Sequence, residues 1–487
     1  MAGEKRYDVL IIGGGAVGCA VARELGRYHC SVALVERCAD VAAGASGRNS
    51  AVVHAGFNNP PGSLMAQMCV EGNQGFAALC QELDVPYKKT GKLLLALDLG
   101  DMATLLRLQT QGERSGCRGL ELLGEEELHA LLPQVEGIGA MHSPETGICD
   151  PFLYTVALAE NALANGAEFF LKHPVTAIQR QPEGSFAVTA GGKVFHTRFV
   201  VNCAGLSSAQ VAALAGVERY RIYPCRGQYF ILDQVPKDYL PMPVYPVPKE
   251  GEGGLGVHLT PTVHGNVLLG PSAEYIDDPE DTASTKEILD QLFQQAQQLL
   301  PSLERGQIIG AYCGLRPKQT PPGKGGYRDF VIRDEADCRG LINLIGIESP
   351  GLTASLPIAR GVVGLIGQSM PLAEKEDFDP TRRGIPRFRE KNAQGQAVLI
   401  ARDPDYGEIF CRCQKVTKAE IRQAIENPLG VRTLSGIKYR AWATTGRCSG
   451  GYCLLKIAQL LTSEYGLAPE ELFYREENSP LLTGRVK

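Results

Sequence analysis

The pattern Gly13-Gly-Gly15-Ala-Val-Gly18 constrains the fold of this chain more than any other stretch. It follows a run of strand character, Arg6 to Ile12, and precedes a helical pattern that continues through Arg27. A second apolar strand, Ser31 to Val35, ends at Glu36. Glycines between a buried strand and a helix predict a phosphate-cradling βαβ opening. Gly13 permits the turn, Gly15 admits a pyrophosphate, and Gly18 lets helix and strand approach. The helix N-terminus offers free N–H groups to the phosphates, and Glu36 is placed to accept bonds from ribose hydroxyls.

A second signal lies at the other end of the chain. Cys411-Arg-Cys413 and Cys448-Ser-Gly-Gly-Tyr-Cys453 form two close pairs. Four thiolates in so short a segment can enclose one metal centre. The Cys-x-Cys spacing is less natural for structural zinc, which favours two to four intervening residues. Gly450 and Gly451 let backbone N–H groups approach sulfur, as an iron–sulfur cluster requires. Zinc remains the alternative. Thr417-Lys-Ala-Glu420 is a capping box after the first pair, and Leu454 to Leu461 reads as a helix after the second. The other eleven of the 15 cysteines are scattered and do not form a disulfide framework.

A chain of 487 residues is too long for one core, and parallel βα patterns at both ends bracket an antiparallel middle. Helices are expected over 69–85, 102–116, 152–165 and 285–300. Strands are expected over Phe169 to Ala190, Arg198 to Cys203, Tyr220 to Pro271 and Leu341 to Ile345. The expected fold class is α/β with an α+β substrate part: a Rossmann-type nucleotide-binding domain, an inserted antiparallel-β substrate domain and a small C-terminal helical module holding the cysteine pairs. Residues 1–370 are expected to form the part built on the nucleotide site. Cofactor-binding parts are expected near 1–80, 145–215 and 325–370, with substrate-binding parts near 81–144 and 216–324. Residues 371–405, rich in Pro, Arg and Lys, read as a linker before the module at 406–487. A net charge of −5 argues against a nucleic-acid partner, and no apolar run reaches a membrane span, so a cytoplasmic protein is expected.

FAD is preferred to nicotinamide. Small and polar residues at Ser46, Arg48, Asn49 and Ser50 let a long cofactor continue past the ribose strand. A late turn, Gly346 through Thr353, aims a second helix N-terminus at its far end.

Residues 1–370 resemble the glycine/D-amino-acid oxidase-type FAD-dependent oxidoreductases. The matching pieces are Gly13–Gly18, Glu36-Arg37, Ser46 to Ser50, Val200 to Gly205 and Gly346 to Ser355. The resemblance implies FAD contacts at Gly13, Gly15, Gly18, Glu36, Arg37, Ser46, Arg48, Asn49, Ser50, Val175, Ala204, Gly205, Gly346, Gly351, Leu352 and Thr353. Within that family, Asn49 to Gly72, Cys225 to Tyr229 and Gly256 to Pro261 resemble the L-2-hydroxyglutarate dehydrogenases. The terminal module resembles bacterioferritin-associated ferredoxin-like [2Fe-2S] domains. Its segment Gly446 to Cys453 is similar to that of the anaerobic glycerol-3-phosphate dehydrogenase large subunit. Cys411, Cys413, Cys448 and Cys453 are the expected ligands.

These readings imply a dehydrogenase for a small anionic L-2-hydroxy acid, with electrons leaving one at a time through the cluster. The acceptor would be a second flavoprotein or another electron-accepting subunit. His54 and His258 are candidate proton acceptors, because imidazole titrates near neutrality. Arg316 is the candidate for the substrate anion, with Arg226 and Lys318 as weaker ones, and Tyr245 as a pocket wall. Glu348 departs from the neutral residue of the 2-hydroxyglutarate enzymes and puts the substrate in question. The alternatives are glycerol-3-phosphate dehydrogenation, amine or amino-acid oxidation, and a non-catalytic electron-transfer subunit.

Overall fold

The computed structural model describes residues 5–236, 238–248, 255–324 and 326–484. Part of the Tyr220–Pro271 stretch thus lies outside the described residues. Arg6–Ile12 sits in the middle of a parallel array, between Val32–Val35 and Lys193–Asn202. Glu168–Phe170 and Leu341–Ile345 extend that array on either side. Val32–Val35, Leu341–Ile345 and the second half of Arg6–Ile12 are buried, which is why they read as apolar runs broken only by Asn343. Helices Ala16–Leu25, Pro151–Ala164 and Ser355–Gly367 pack on one face of the array in a common core. An antiparallel hairpin, Val175–Arg180 with Phe186–Ala190, joins the first half of the long strand Lys193–Asn202.

The middle of the chain builds a second, nine-stranded sheet. Its longest pairing is antiparallel, Tyr223–Leu232 against Ile308–Lys318, and sets Cys225 opposite Arg316. The run continues through Val267–Gly270, His258–Pro261, Val244–Pro246 and Leu93–Ala96. Only Val244–Pro246 and Leu93–Ala96 pair in parallel among these strands. The amphipathic helix Lys286–Leu299 covers this sheet through Leu292, Phe293, Ala296 and Leu299. The antiparallel sheet is therefore inserted between parallel strands of the nucleotide fold.

Helix starts differ from expectation where a cap was overlooked. The helix expected from 69 begins at Leu64, because the Ser63 hydroxyl accepts the Ala66 N–H. Residues 371–405 are more than a plain connection. They carry the helix Ala393–Arg402, and Arg382 is ion-paired to Glu160 at 2.7 Å. The terminal segment has its own core of Phe410, Ile421, Ile437, Ile457 and Leu461. Three helices surround it: Lys418–Ile425, Leu434–Ala441 and Cys453–Ser463. The first carries the expected capping box between Thr417 and Glu420. The second was not anticipated.

Candidate active site and thiolate centre

Two adjoining cavities of about 360 and 180 Å³ run from the glycine turn to the inserted sheet. Gly13, Gly15, Glu36, Arg37, Ala204 and Gly205 line the first, Ser46 and Arg48 line both, and Asn49, Ser50, Gly351, Leu352 and Thr353 line the second. The glycines fit a dinucleotide. A Cβ on Gly18 would stand 2.0 Å from the Gly13 carbonyl oxygen, so only glycine lets helix and turn meet. A Cβ on Gly15 would project toward Ser46 Oγ, which accepts the Ala16 N–H at 2.9 Å at the helix start. The residues present therefore suit FAD.

Several expected contacts take a different form. The Glu36 carboxylate accepts the Gly14 N–H at 2.6 Å and the Cys38 N–H at 2.9 Å, and so braces the turn itself. Arg37 pairs with Glu280 at 2.8 Å. Gly346 adopts φ 69° as a turn former and lies off the cavity walls. Val175 packs against the sheet core at the start of its strand and lines neither cavity.

The second cavity gathers His54, His258 and Arg316 from distant segments. Thr353 Oγ1 accepts the His54 backbone N–H at 3.0 Å, which ties that loop to the late turn. Ser349 Oγ lies 3.4 Å from His54 Nε2. His258 stacks on Tyr245 with centroids 3.8 Å apart, and its Nδ1 contacts Thr260 Oγ1 at 2.8 Å, leaving Nε2 for a ligand. Burial, then the nearby Lys92 charge, pushes His54 down to about 3. Burial, then Lys92, His54 and Arg316, holds His258 well below the ordinary imidazole value. Both rings are therefore neutral near pH 7. Arg316 donates to the Ser272 carbonyl and lies 3.7 Å from Cys225 Sγ.

Two of the weaker candidates are placed otherwise. Arg226 is held by Glu274 at 2.8 Å and Asp281 at 2.7 Å, so it is spent on structure and not on a substrate anion. Lys318 is fully buried, with Nζ 2.9 Å from Glu348 Oε2. Sequence reasoning missed Lys92, a buried lysine whose Nζ lies 4.4 Å from the Tyr245 ring centroid. A lone charge directly before the apolar strand Leu93–Ala96 was the available clue.

The structure brings the four terminal cysteines near one another in pairwise contacts. Cys411 and Cys413 sulfurs are 3.7 Å apart, and those of Cys413 and Cys448 are 4.0 Å apart. Cys411 and Cys453 are buried, while Cys413 and Cys448 face the surface. Among the described residues no group of three or more His, Cys, Asp or Glu is arranged around a single ion. Backbone N–H groups of Gln414 and Thr444 reach Cys411, and those of Gly450 and Tyr452 reach Cys448. Burial opposes the Cys448 thiolate, yet these N–H groups outweigh it and lower its pKa. Burial, then the Cys411 thiol, raises Cys413 to about 12. Such donors suit the negative charge of a cluster. Lys415, Trp442, Thr444 and Ser449 all take positive φ here, so the chain winds tightly around the sulfurs. A Cβ on Gly446 would stand 2.3 Å from Cys413 Sγ.

Comparison with known proteins agrees with this geometry. Residues 8–365 match the FAD dependent oxidoreductase family, and residues 409–463 match the BFD-like [2Fe-2S] binding domain. The chain belongs to the FAD-dependent oxidoreductase family and carries a [2Fe-2S] domain at its C-terminal end. Glycerol 3-phosphate dehydrogenase of Caloramator mitchellensis is 36% identical over 484 residues, spanning 99% of both chains. L-2-hydroxyglutarate dehydrogenase of Arabidopsis thaliana is 34% identical over 409 residues, spanning 74% of this chain and 83% of that one. The solved L-alpha-glycerophosphate oxidase from Mycoplasma pneumoniae superposes with a TM-score of 0.73 at 28% identity, over 78% of this chain and 99% of its own. The protein is thus an FAD-dependent dehydrogenase with a [2Fe-2S] domain.

Proposed function

We propose that this dehydrogenase oxidises glycerol 3-phosphate and passes the electrons through its cluster to an acceptor outside the chain. One observation carries the reading: the similarity to the Caloramator glycerol 3-phosphate dehydrogenase runs through both the flavin part and the thiolate module. The 2-hydroxyglutarate relatives leave about a quarter of the chain unmatched. The motif-based expectation of an L-2-hydroxy acid therefore gives way to the alternative weighed beside it.

The site supports the assignment in chemical terms. Bound FAD supplies the two-electron acceptor, and the [2Fe-2S] centre supplies a one-electron relay to the surface. Arg316 brings a permanent cation to the substrate cavity, matched to a phosphate dianion. His54 and His258, both neutral, flank the same space, and one of them takes the proton of the C2 hydroxyl as the C–H bond breaks. Gly13, Gly15, Gly18, Ser46, Arg48 and the turn ending at Thr353 hold the cofactor. Cys411, Cys413, Cys448 and Cys453 hold the cluster, with Cys413 and Cys448 on the side that meets an acceptor. Among the described residues no helix is long and apolar enough to cross a membrane.

The test is flavin bleaching in oxygen-free protein mixed with glycerol 3-phosphate, L-2-hydroxyglutarate, L-lactate or amino acids. Glycerol 3-phosphate is expected to bleach the flavin fastest. Bleaching by L-2-hydroxyglutarate with no response to glycerol 3-phosphate would overturn the assignment.

A further inference from the structure

Glu348 is an unusual residue for a cavity that takes an anion. It lines the substrate cavity, yet its side chain is only 2% exposed and its partner Lys318 is fully buried. Lys318 Nζ stands 2.9 Å from Glu348 Oε2, at ion-pair distance but without hydrogen-bond alignment, and 4.5 Å from the Tyr327 ring centroid. Glu348 Oε2 is a buried acceptor with no aligned hydrogen bond among the described residues. Glu348 directly precedes Ser349, whose Oγ approaches His54 Nε2. The carboxylate thus lines the same cavity as His54 and Arg316, and the Arg316 charge helps to hold it ionised. A buried ion pair is weak evidence for stability, because desolvation offsets its attraction. Its presence in a substrate cavity calls for another reason.

The chemistry of the competing substrates supplies one. The reacting carbon of glycerol 3-phosphate bears a phosphooxymethyl group and a neutral hydroxymethyl group. The reacting carbon of a 2-hydroxy acid bears a carboxylate directly. A hydroxymethyl group can donate to a carboxylate oxygen in a charge-assisted hydrogen bond. Burial raises the Glu348 pKa while Lys318 and then Arg316 pull it down, and a substrate carboxylate at the same place would push it further up, because two carboxyl groups in one buried site do not both stay ionised. Lys318 does not rescue the acid, because Glu348 already occupies its ammonium.

We propose that Glu348, held by Lys318, is the residue that selects a phosphorylated polyol over a 2-hydroxy acid, its carboxylate accepting the terminal hydroxyl of the substrate. The inference rests on the glycerol 3-phosphate assignment above and adds a recognition element for the end of the molecule away from the phosphate.

The test compares kcat/KM, by dye reduction with purified holoenzyme, for glycerol 3-phosphate, propane-1,2-diol 1-phosphate and L-2-hydroxyglutarate. The second compound keeps the phosphate and the reacting hydroxyl but lacks the terminal one. Sites built to bond a hydroxyl reject analogues without it strongly, so wild type is expected to favour glycerol 3-phosphate by about 100-fold or more. A paired variant, Lys318→Met with Glu348→Leu, removes both charges together and avoids an orphaned buried ion. It should reduce that preference to about threefold or less, with flavin content and Tm recording that the fold survives. Glu348→Gln alone frees the lysine and should raise the rate on L-2-hydroxyglutarate relative to glycerol 3-phosphate by about tenfold. Calorimetric Kd values for the two phosphates should part in the same direction as their kcat/KM values. Equal kcat/KM for the two phosphates in wild type, or an unchanged preference in the paired variant, overturns the proposal while the parent assignment stands. Wild-type turnover of L-2-hydroxyglutarate with none of glycerol 3-phosphate removes both.

Discussion

Lys92 shows how one side chain sets the working state of this site. Its ammonium is buried, lies 4.5 Å from the Phe57 ring centroid and 4.4 Å from that of Tyr245, and has no hydrogen-bond partner among the described residues. Cation–π contact is worth a few kcal/mol at most and only partly replaces lost hydration. Burial accordingly lowers Lys92 from 10.5 to about 7. The sign follows from linkage. Between about pH 7 and 10.5 the unfolded chain binds a proton there that the folded one has released, so stability rises with pH across that window. Below about pH 7 both states are protonated and the full cost of a buried charge applies. Lys92→Met is therefore expected to raise Tm at pH 7, and the gain should shrink steadily toward pH 10.5. A gain that is flat with pH in scanning fluorimetry would assign the effect to packing instead. The same lysine helps to keep His54 and His258 unprotonated, so the variant also shifts the acid limb of the pH–rate profile upward.

The helix Leu434–Ala441 fastens the terminal module to the flavin part. Arg440 grips Asp40 with both arms, at 2.7 and 3.0 Å, and is 1% exposed. Tyr439 stacks on Phe152 with centroids 3.9 Å apart. Arg440→Met leaves Asp40 without its partner, and breaking a buried pair in this way costs about 3–5 kcal/mol. Faster proteolytic release of the module and a lower Tm are expected, and wild-type resistance would refute the role. This helix also marks where sequence reading stopped. Its buried face holds Leu434, Gly436, Ile437, Arg440 and Ala441. An arginine and a glycine on that face interrupt the apolar period, because the face meets another part of the protein as well as its own core. By contrast Leu341–Ile345 was legible as an apolar run broken only by Asn343, and Lys286–Leu299 as an amphipathic one. At the site, the glycine turn, the paired cysteines and the two histidines were visible because each chemistry demands a residue type. The Lys318–Glu348 pairing and the Lys92 contacts depend on strands brought together only by the inserted sheet, and no local pattern announces them.

At the scale of the whole molecule, the proposed function divides substrate oxidation and electron delivery between separate parts of one chain, so they should come apart under mutation. Cys413→Ser is expected to leave anaerobic flavin bleaching by substrate within about threefold of wild type. It should slow reduction of an external acceptor at least tenfold, with iron content reduced. Equal loss of both half-reactions would mean that the cysteines serve the fold and not the relay. The walls of the larger cavity carry a further consequence. Thr433, Ser435, Gly436, Tyr439, Arg475 and Glu476 of the terminal module line it together with Glu36 and Ala204, and Glu476 accepts the Ala39 N–H at 2.9 Å. The domain that houses the iron is thus also a door over the nucleotide. Biogenesis then acquires a sequence: the vitamin-derived cofactor has to be loaded before or during closure of that door, and a nascent chain starved of iron, with its last eighty residues unsettled, would lose its yellow colour as well.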